Sequence, residues 1–134
     1  FLYNLILLIK ILNMTYDESN IFAKILRGEI PCKKIYEDDF VLSFYDINPQ
    51  KKIHALVIPK GNYIDLDHFN TNASNDEILG LMKGITIVSK KLGISSIDGK
   101  GYRVLANISD YGGQEVPHLH FHLFGGEKVG KMVS

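Results

Sequence analysis

One cysteine, no tryptophan and only four prolines stand among 134 residues. Cys32 has no partner within the chain, so no internal disulfide can form, which suits a reducing compartment. No Cys-x-x-Cys pair supplies the usual thiolate frame of a zinc site. Net charge is missing as well: 15 Lys and Arg balance 15 Asp and Glu, which predicts no broad attraction to nucleic acid or to a membrane surface, although a small anion can still bind locally. Long apolar runs are scarce. Residues 1–12, FLYNLILLIKIL, fall short of the roughly 20 residues a spanning helix needs and carry Asn4 and Lys10. They lack the basic leader and small-residue cleavage site of a signal peptide. This run differs in composition from everything after it, so Met14 is expected to be the working start, with residues 1–13 an apolar extension outside the fold and one domain over 14–134. There is no internal repeat, low-complexity tract or linker. A chain of this length can bury close to two-thirds of its unfolded surface, enough for one core.

What is present reads as alternating short elements. Asp17, Ser19 and Asn20 offer N-cap oxygens to a helix whose stripe is Ile21, Phe22, Ile25 and Leu26, ended by Gly28 and Pro31. Ile25 and Leu26 are expected in the core; Phe22 suits either the core or a flat apolar slot for a ring. Lys34 to Tyr36 and Phe40 to Tyr45 form a hairpin around the acidic turn Glu37-Asp38-Asp39, with Asp46 where the second strand ends and Pro49 beyond it. Asp46 is either a simple turn residue or an acceptor for ribose hydroxyls.

Ile53 to Ile58 is a strand apolar on both faces, stopped by Pro59. Its His54 needs hydrogen-bond partners, since a buried unsatisfied polar group costs about 1 to 3 kcal/mol. His68, in the polar segment 62–75, is expected at the surface. Ser74 and Glu77 fit a capping box for a second helix with Ile78, Leu81, Met82, Ile85 and Val88 on one stripe, a core or partner-subunit face, and Gly93 after its end. Gly101 to Asn107 is expected to be a strand with Tyr102, Val104 and Ala106 on one face. The composite is an α+β domain: a meander of about five antiparallel strands with two helices.

Chemistry concentrates near the C-terminus, in His118-Leu119-His120-Phe121-His122-Leu123-Phe124. Three of the five histidines fall there at alternate positions, so on a strand all three imidazoles share one face and the apolar residues take the other. A merely half-buried strand would be expected to fill its outer face with Lys, Thr, Ser or Glu rather than three times with the residue that titrates near neutrality. Zinc is the other rival, but at roughly 3.4 Å per residue His118 and His122 lie on the order of 13 Å apart along the backbone, too far to share bonds of about 2 Å easily. Catalysis by imidazole, as nucleophile and proton carrier, remains. Upstream, Gly112-Gly113 allow backbone N–H groups to approach an anion such as phosphate.

The run Gly-Gly-Gln-Glu-Val-x-His-x-His-x-His-Leu-x-Gly-Gly resembles the histidine triad superfamily, and specifically its HINT branch of nucleotide-binding phosphoramidate hydrolases. The similarity extends through residues 21–31, Ser43 to Gln50 and His54 to Lys60, and so covers about residues 17 to 133. The resemblance implies a purine nucleotide site in which Ile21 and Phe22 line the base pocket and Asp46 and Ile47 meet ribose and base. Asn107 would hold a hydroxyl or phosphate oxygen, and Phe44, Gln114 and Val116 belong to the same site. His120 would attack the α-phosphorus of a nucleoside phosphoramidate such as an adenosine monophosphate amide, expel the amine and leave a nucleotidyl-histidine for water to cleave. His122 and the N–H groups from Gly113 to Glu115 would steady the phosphate oxygens, while His118, through His54, would manage protons. No metal or other cofactor is required by that chemistry.

Family members pair two domains into one ten-stranded sheet, which implies a homodimer, and the setting implied is cytoplasmic or nuclear. Two departures stand out. Animal relatives carry serine at the position of Glu115, and they end in a Trp-containing tail that reaches the partner's site, whereas this chain finishes Lys128 to Ser134. Two other functions remain open: hydrolysis of dinucleoside polyphosphates, whose branch usually lacks Gly125-Gly126, and non-catalytic purine nucleotide binding as a scaffold.

Overall fold

The computed structural model describes residues 1–13 and 15–133; Met14, the expected start, lies outside them. Five antiparallel strands form one sheet: β1 (Lys34–Glu37), β2 (Val41–Tyr45), β3 (Ile53–Pro59), β4 (Arg103–Leu105) and β5 (Phe121–Gly125). Their order is β1-β2-β3-β5-β4, so the last strand enters between β3 and β4 rather than adding at the edge as in a sequential meander. The reason is apolar content. β3 is buried along nearly its whole length and needs a partner on each side, and β5, buried at Phe121, Leu123 and Gly125, fills that central place. The three-residue β4 with its exposed Val104 is left at the rim. It is also shorter than the strand expected over residues 101–107.

Among the described residues the helices number four: α1 (Leu2–Asn13), α2 (Ile21–Leu26), α3 (Leu66–Asn72) and α4 (Asn75–Lys91). The expected two, α2 and α4, begin as their sequences indicate, with the Asn20 side chain accepting from Ala23 N and a complete Ser74–Glu77 capping box. In α4, Leu81, Ile85 and Val88 are buried, but Met82 is exposed. Phe1 to Leu8, leading into and along α1, are exposed. The helix α3 arises in the segment read as polar: Asp65 caps it by accepting from His68 N, and Phe69 is its buried anchor. Among the described residues no helix is long and apolar enough to cross a membrane.

Strand alternation divides the core in two. Val41, Ala55, Val57, Phe121 and Leu123 face one side, where Leu81, Ile85 and Val88 of α4 cover them. Leu42, Phe44, Leu56 and Ile58 face the other, where Phe22 of α2 closes a smaller cluster. Leu56 pairs with His122 in register, and His54, Leu56 and Ile58 share a face by their spacing of two. The histidine-bearing face is therefore the one α2 covers, with the main core directly behind it.

Candidate active site

Only His122 of the three aligned histidines lies within a strand; residues 116–118 form a bend and the ladder begins at Phe121. The period-two pattern nonetheless continues upstream, since Leu119 is buried in the main core while His118, His120 and His122 occupy the opposite side. Phe22 meets His120 edge-on at 4.9 Å and His118 at 6.3 Å between ring centroids. His120 and His122 lie 5.0 Å apart.

The hydrogen bonds fix where each ring proton sits. His120 Nδ1 lies 2.7 Å from the His118 carbonyl; a carbonyl only accepts, so Nδ1 carries the proton and Nε2 keeps its lone pair. His54 Nδ1 accepts from Gln50 N at 3.2 Å, which leaves the proton on its Nε2, 2.9 Å from His122 Nδ1. His122 Nδ1 is thus the acceptor of that pair, and its own N–H is on Nε2. His118 donates from Nε2 to the Pro59 carbonyl at 2.9 Å and accepts at Nδ1 from the Tyr16 hydroxyl at 2.6 Å. Burial lowers the pKa of all four rings, driving His118 and His122 down to about 4, with neighbouring histidines adding to the shift. The site therefore rests as neutral imidazoles with defined tautomers.

A cleft of about 170 Å³ opens over this array, lined by Phe22, Asp46, Asn107, Gly113, Glu115, Val116, His120 and His122, together with Gln50 and Leu56. Eight of the residues expected at a nucleotide site are brought together there. Others fall elsewhere. Phe44 is buried behind Phe22, 5.7 Å between ring centroids. Ile47 is 84% exposed and Ile21 is 40% exposed, neither of them in the lining. Gln114 turns inward, donating to the Ile64 and Val116 carbonyls and accepting from Ser109 N, so it braces the loop. His54 lies beneath His122, outside the lining.

His118 corrects a further expectation: it is fully buried, and its two ring nitrogens are engaged by the Tyr16 hydroxyl and the Pro59 carbonyl rather than by His54. A proton route from His118 through His54 has no geometric basis. His68 also differs from a surface residue, being half-buried and accepting from Ile64 N at 2.9 Å.

The glycine loop works differently from a simple row of free N–H groups. Of the three N–H groups from Gly113 to Glu115, those of Gly113 and Gln114 bond to the Asp110 and Ser109 carbonyls at 3.0 Å, which leaves that of Glu115, at the loop exit, for a ligand. Ser109 holds φ of 59° and Gly113 φ of 75° to make this turn. At Gly112 an added Cβ would lie 2.4 Å from the Ile108 oxygen and 2.7 Å from its nitrogen, both backbone atoms that cannot swing aside. Gly112→Ala is expected to displace the loop and weaken nucleotide binding about tenfold or more, measured by titration calorimetry; unchanged affinity would contradict the loop's role.

Asp46 accepts from Asn48 N, the turn role that was the alternative to ribose binding, while its other oxygen lies 3.5 Å from His54 Nε2. Asp46, His54 and His122 place ligand atoms within 4.8 Å of one another, a donor set compatible with a borderline metal. Two tetrahedral ligands at zinc stand about 3.3 Å apart, and the 2.9 Å between the two imidazole nitrogens is instead a hydrogen bond. Gln50 and Tyr16 were not anticipated. Gln50 sits within the Asp46-to-Gln50 segment and acts through its backbone, whereas Tyr16 lies 102 positions from the ring it contacts.

Comparison with known proteins agrees with this geometry. The HIT domain model matches residues 27–129. An uncharacterised HIT-like protein of Azospirillum brasilense is 49% identical over 120 residues, covering 90% of this chain and 96% of that protein. Purine nucleoside phosphoramidase of Escherichia coli is 41% identical, covering 87% of this chain and 95% of that protein. Among solved structures, a HIT family hydrolase from Clostridium thermocellum is 36% identical with a TM-score of 0.76, covering 88% of this chain and 99% of that one. A five-stranded antiparallel α+β fold with a histidine-lined cleft defines the class, that of histidine triad domains. The chain belongs to the HIT family, and the purine nucleoside phosphoramidase of Escherichia coli is among the family members it is similar to.

Proposed function

We propose that the protein hydrolyses purine nucleoside phosphoramidates, releasing a nucleoside monophosphate such as AMP or GMP and an amine. The observation that carries this reading is the bond from His120 Nδ1–H to the His118 carbonyl, which leaves Nε2 as an unprotonated nucleophile on a residue lining the cleft. The purine would lie along Phe22, Leu56 and Val116, with the ribose hydroxyls at Asp46. His120 Nε2 forms a bond to the α-phosphorus as the P–N bond breaks. His122 Nε2–H and the Glu115 N–H support the phosphoryl oxygens, where fixed donors are most effective.

The departing nitrogen takes one proton, which the His54–His122 pair carries beside Asp46 while the anionic substrate is bound. Water then attacks phosphorus, cleaves the nucleotidyl-histidine and returns that proton. His118 holds the nucleophile instead of moving protons. Histidine supplies every chemical role, so the reaction calls for no metal. The Glu115 carboxylate lies at the cleft and points away from bound phosphate in this scheme. A homodimer joined along the exposed β4 edge, in the cytoplasm, completes the reading.

The test compares an adenosine 5′-monophosphate amide with diadenosine triphosphate, with acid-quenched samples examined by mass spectrometry. Faster cleavage of the amide and a nucleotidyl group on His120 are expected. Preference for the polyphosphate would point to the sister hydrolase activity, no turnover on either to a nucleotide-binding scaffold, and product without the adduct would refute the nucleophile.

A further inference from the structure

Tyr16 belongs to none of the motifs that define the site, yet its hydroxyl donates to His118 Nδ1 at 2.6 Å, with the rings edge to face at 5.6 Å. The segment leading into α2 is braced to hold it there. Asn20 Nδ2 donates to the Asp17 carbonyl at 2.7 Å, Ser19 N donates to Asp17 Oδ1 at 2.9 Å, and Arg27 donates to the Glu18 carbonyl at 2.9 Å. The His118 imidazole consequently spans two separate parts of the molecule, the Tyr16 hydroxyl on one side and the Pro59 carbonyl at the end of β3 on the other.

The bend that carries His118 precedes the sheet ladder, with Leu119 N bonded to the Tyr63 carbonyl at 2.8 Å. Across the backbone, the His118 carbonyl accepts from His120 Nδ1. The ring that Tyr16 holds and the carbonyl that sets the tautomer and the aim of His120 thus belong to one residue.

We infer that Tyr16 is a positioning residue for the reaction: its hydroxyl holds His118 as the Nε2–H tautomer and, through the His118 carbonyl, keeps His120 Nε2 directed at phosphorus. A buried leucine would pack at this place in the bend with no polar group to satisfy, whereas a buried imidazole lacking a donor for Nδ1 would change tautomer or rotate. As Nε2 bonds to phosphorus the His120 ring gains positive charge, so its Nδ1–H bond to the carbonyl strengthens on the way to the transition state. Misplacing that acceptor therefore lowers kcat more than it raises KM. The kinetic half of this inference rests on the proposed phosphoramidate chemistry; the tautomer half does not.

Tyr16→Phe keeps the ring and removes the hydroxyl. The kcat for amide cleavage is expected to fall about tenfold, with KM changed less than about twofold. In ¹⁵N spectra of the imidazoles, wild-type His118 should show a protonated Nε2 and a hydrogen-bonded, unprotonated Nδ1. In the variant the His118 resonances should move, and those of His120 with them. Arg27→Ala, which loosens the same lead-in but keeps the hydroxyl, serves as the stability control: it should lower the melting temperature while leaving the His118 tautomer in place. Unchanged His118 and His120 resonances in Tyr16→Phe, or a wild-type His118 protonated on Nδ1, would overturn the inference whatever the enzyme's activity. A loss of kcat with both rings unperturbed would overturn it as well. Should the wild type cleave no phosphoramidate, the functional proposal fails, and the spectra still decide the role of Tyr16.

Discussion

Replacing His120 by alanine is expected to lower turnover on the order of 10⁴-fold or more, the loss typical of a missing nucleophile that its neighbours cannot replace. His122 has its Nδ1 engaged by His54 and presents an N–H, while His118 is sealed from the cleft, so neither offers a lone pair to phosphorus. Nucleotide affinity should change far less, because Phe22, Asp46, Asn107 and the glycine loop are untouched and the ring removed makes its internal bond to the adjacent backbone. Steady-state kinetics and calorimetric titration with AMP on the same preparation check both halves. Residual activity within tenfold of wild type would remove His120 from the role proposed for it.

Acid should destabilise the protein at a pH where most proteins are indifferent. Burial holds the His118 pKa at about 4 against an ordinary value of 6.5. Between those values the unfolded chain binds a proton that the folded chain refuses, so stability is greatest above 6.5 and declines as pH falls toward 4. One unit corresponds to 1.36 kcal/mol, which makes the contribution of His118 alone about 2 kcal/mol between pH 7 and pH 5. His54, His120 and His122 shift in the same direction and add to the slope. Glu37, held down to about 2 by Lys34 and Lys60, does not titrate in that window. Urea unfolding at a series of pH values measures the effect, and a flat profile from 7 to 5 would contradict the neutral, buried state of these rings. Catalysis should follow with an acid limb below 6.5, since protonation of His120 removes its lone pair.

How much of this was legible in the sequence depends on the range of the interaction. Local signals were reliable: Asn20 and Ser74 cap their helices, and the two-residue period separated His118, His120 and His122 from Leu119, Phe121 and Leu123 even where no ladder forms. Resemblance located the cleft, and Phe22, Asp46 and Asn107 meet His120 there. Long-range choices were hidden. The insertion of β5 beside β3 follows from competition among strands for the centre of the sheet, and the contact between Tyr16 and His118 joins positions that no periodic pattern links. The helix α3 escaped because its apolar anchors are sparse and its cap, Asp65, lies in a stretch that otherwise reads as loop. The loop N–H groups were misjudged because glycine shows that a tight turn is possible, not which donors the turn uses internally.

The smaller of the two cores has a consequence for how the molecule responds to warmth. α2 has six residues, too few to persist without tertiary support, and rests on a cluster of five buried side chains counting its own Phe22. The 17-residue α4 lies across the larger core. α2 should accordingly come away in a partial, reversible opening at lower free energy than global unfolding, and its amides should exchange with deuterium sooner than those of α4. Each such opening would lift Phe22 off His120, so catalytic output would fade on heating while the sheet was still intact, and a nucleotide seated against Phe22 would delay the loss.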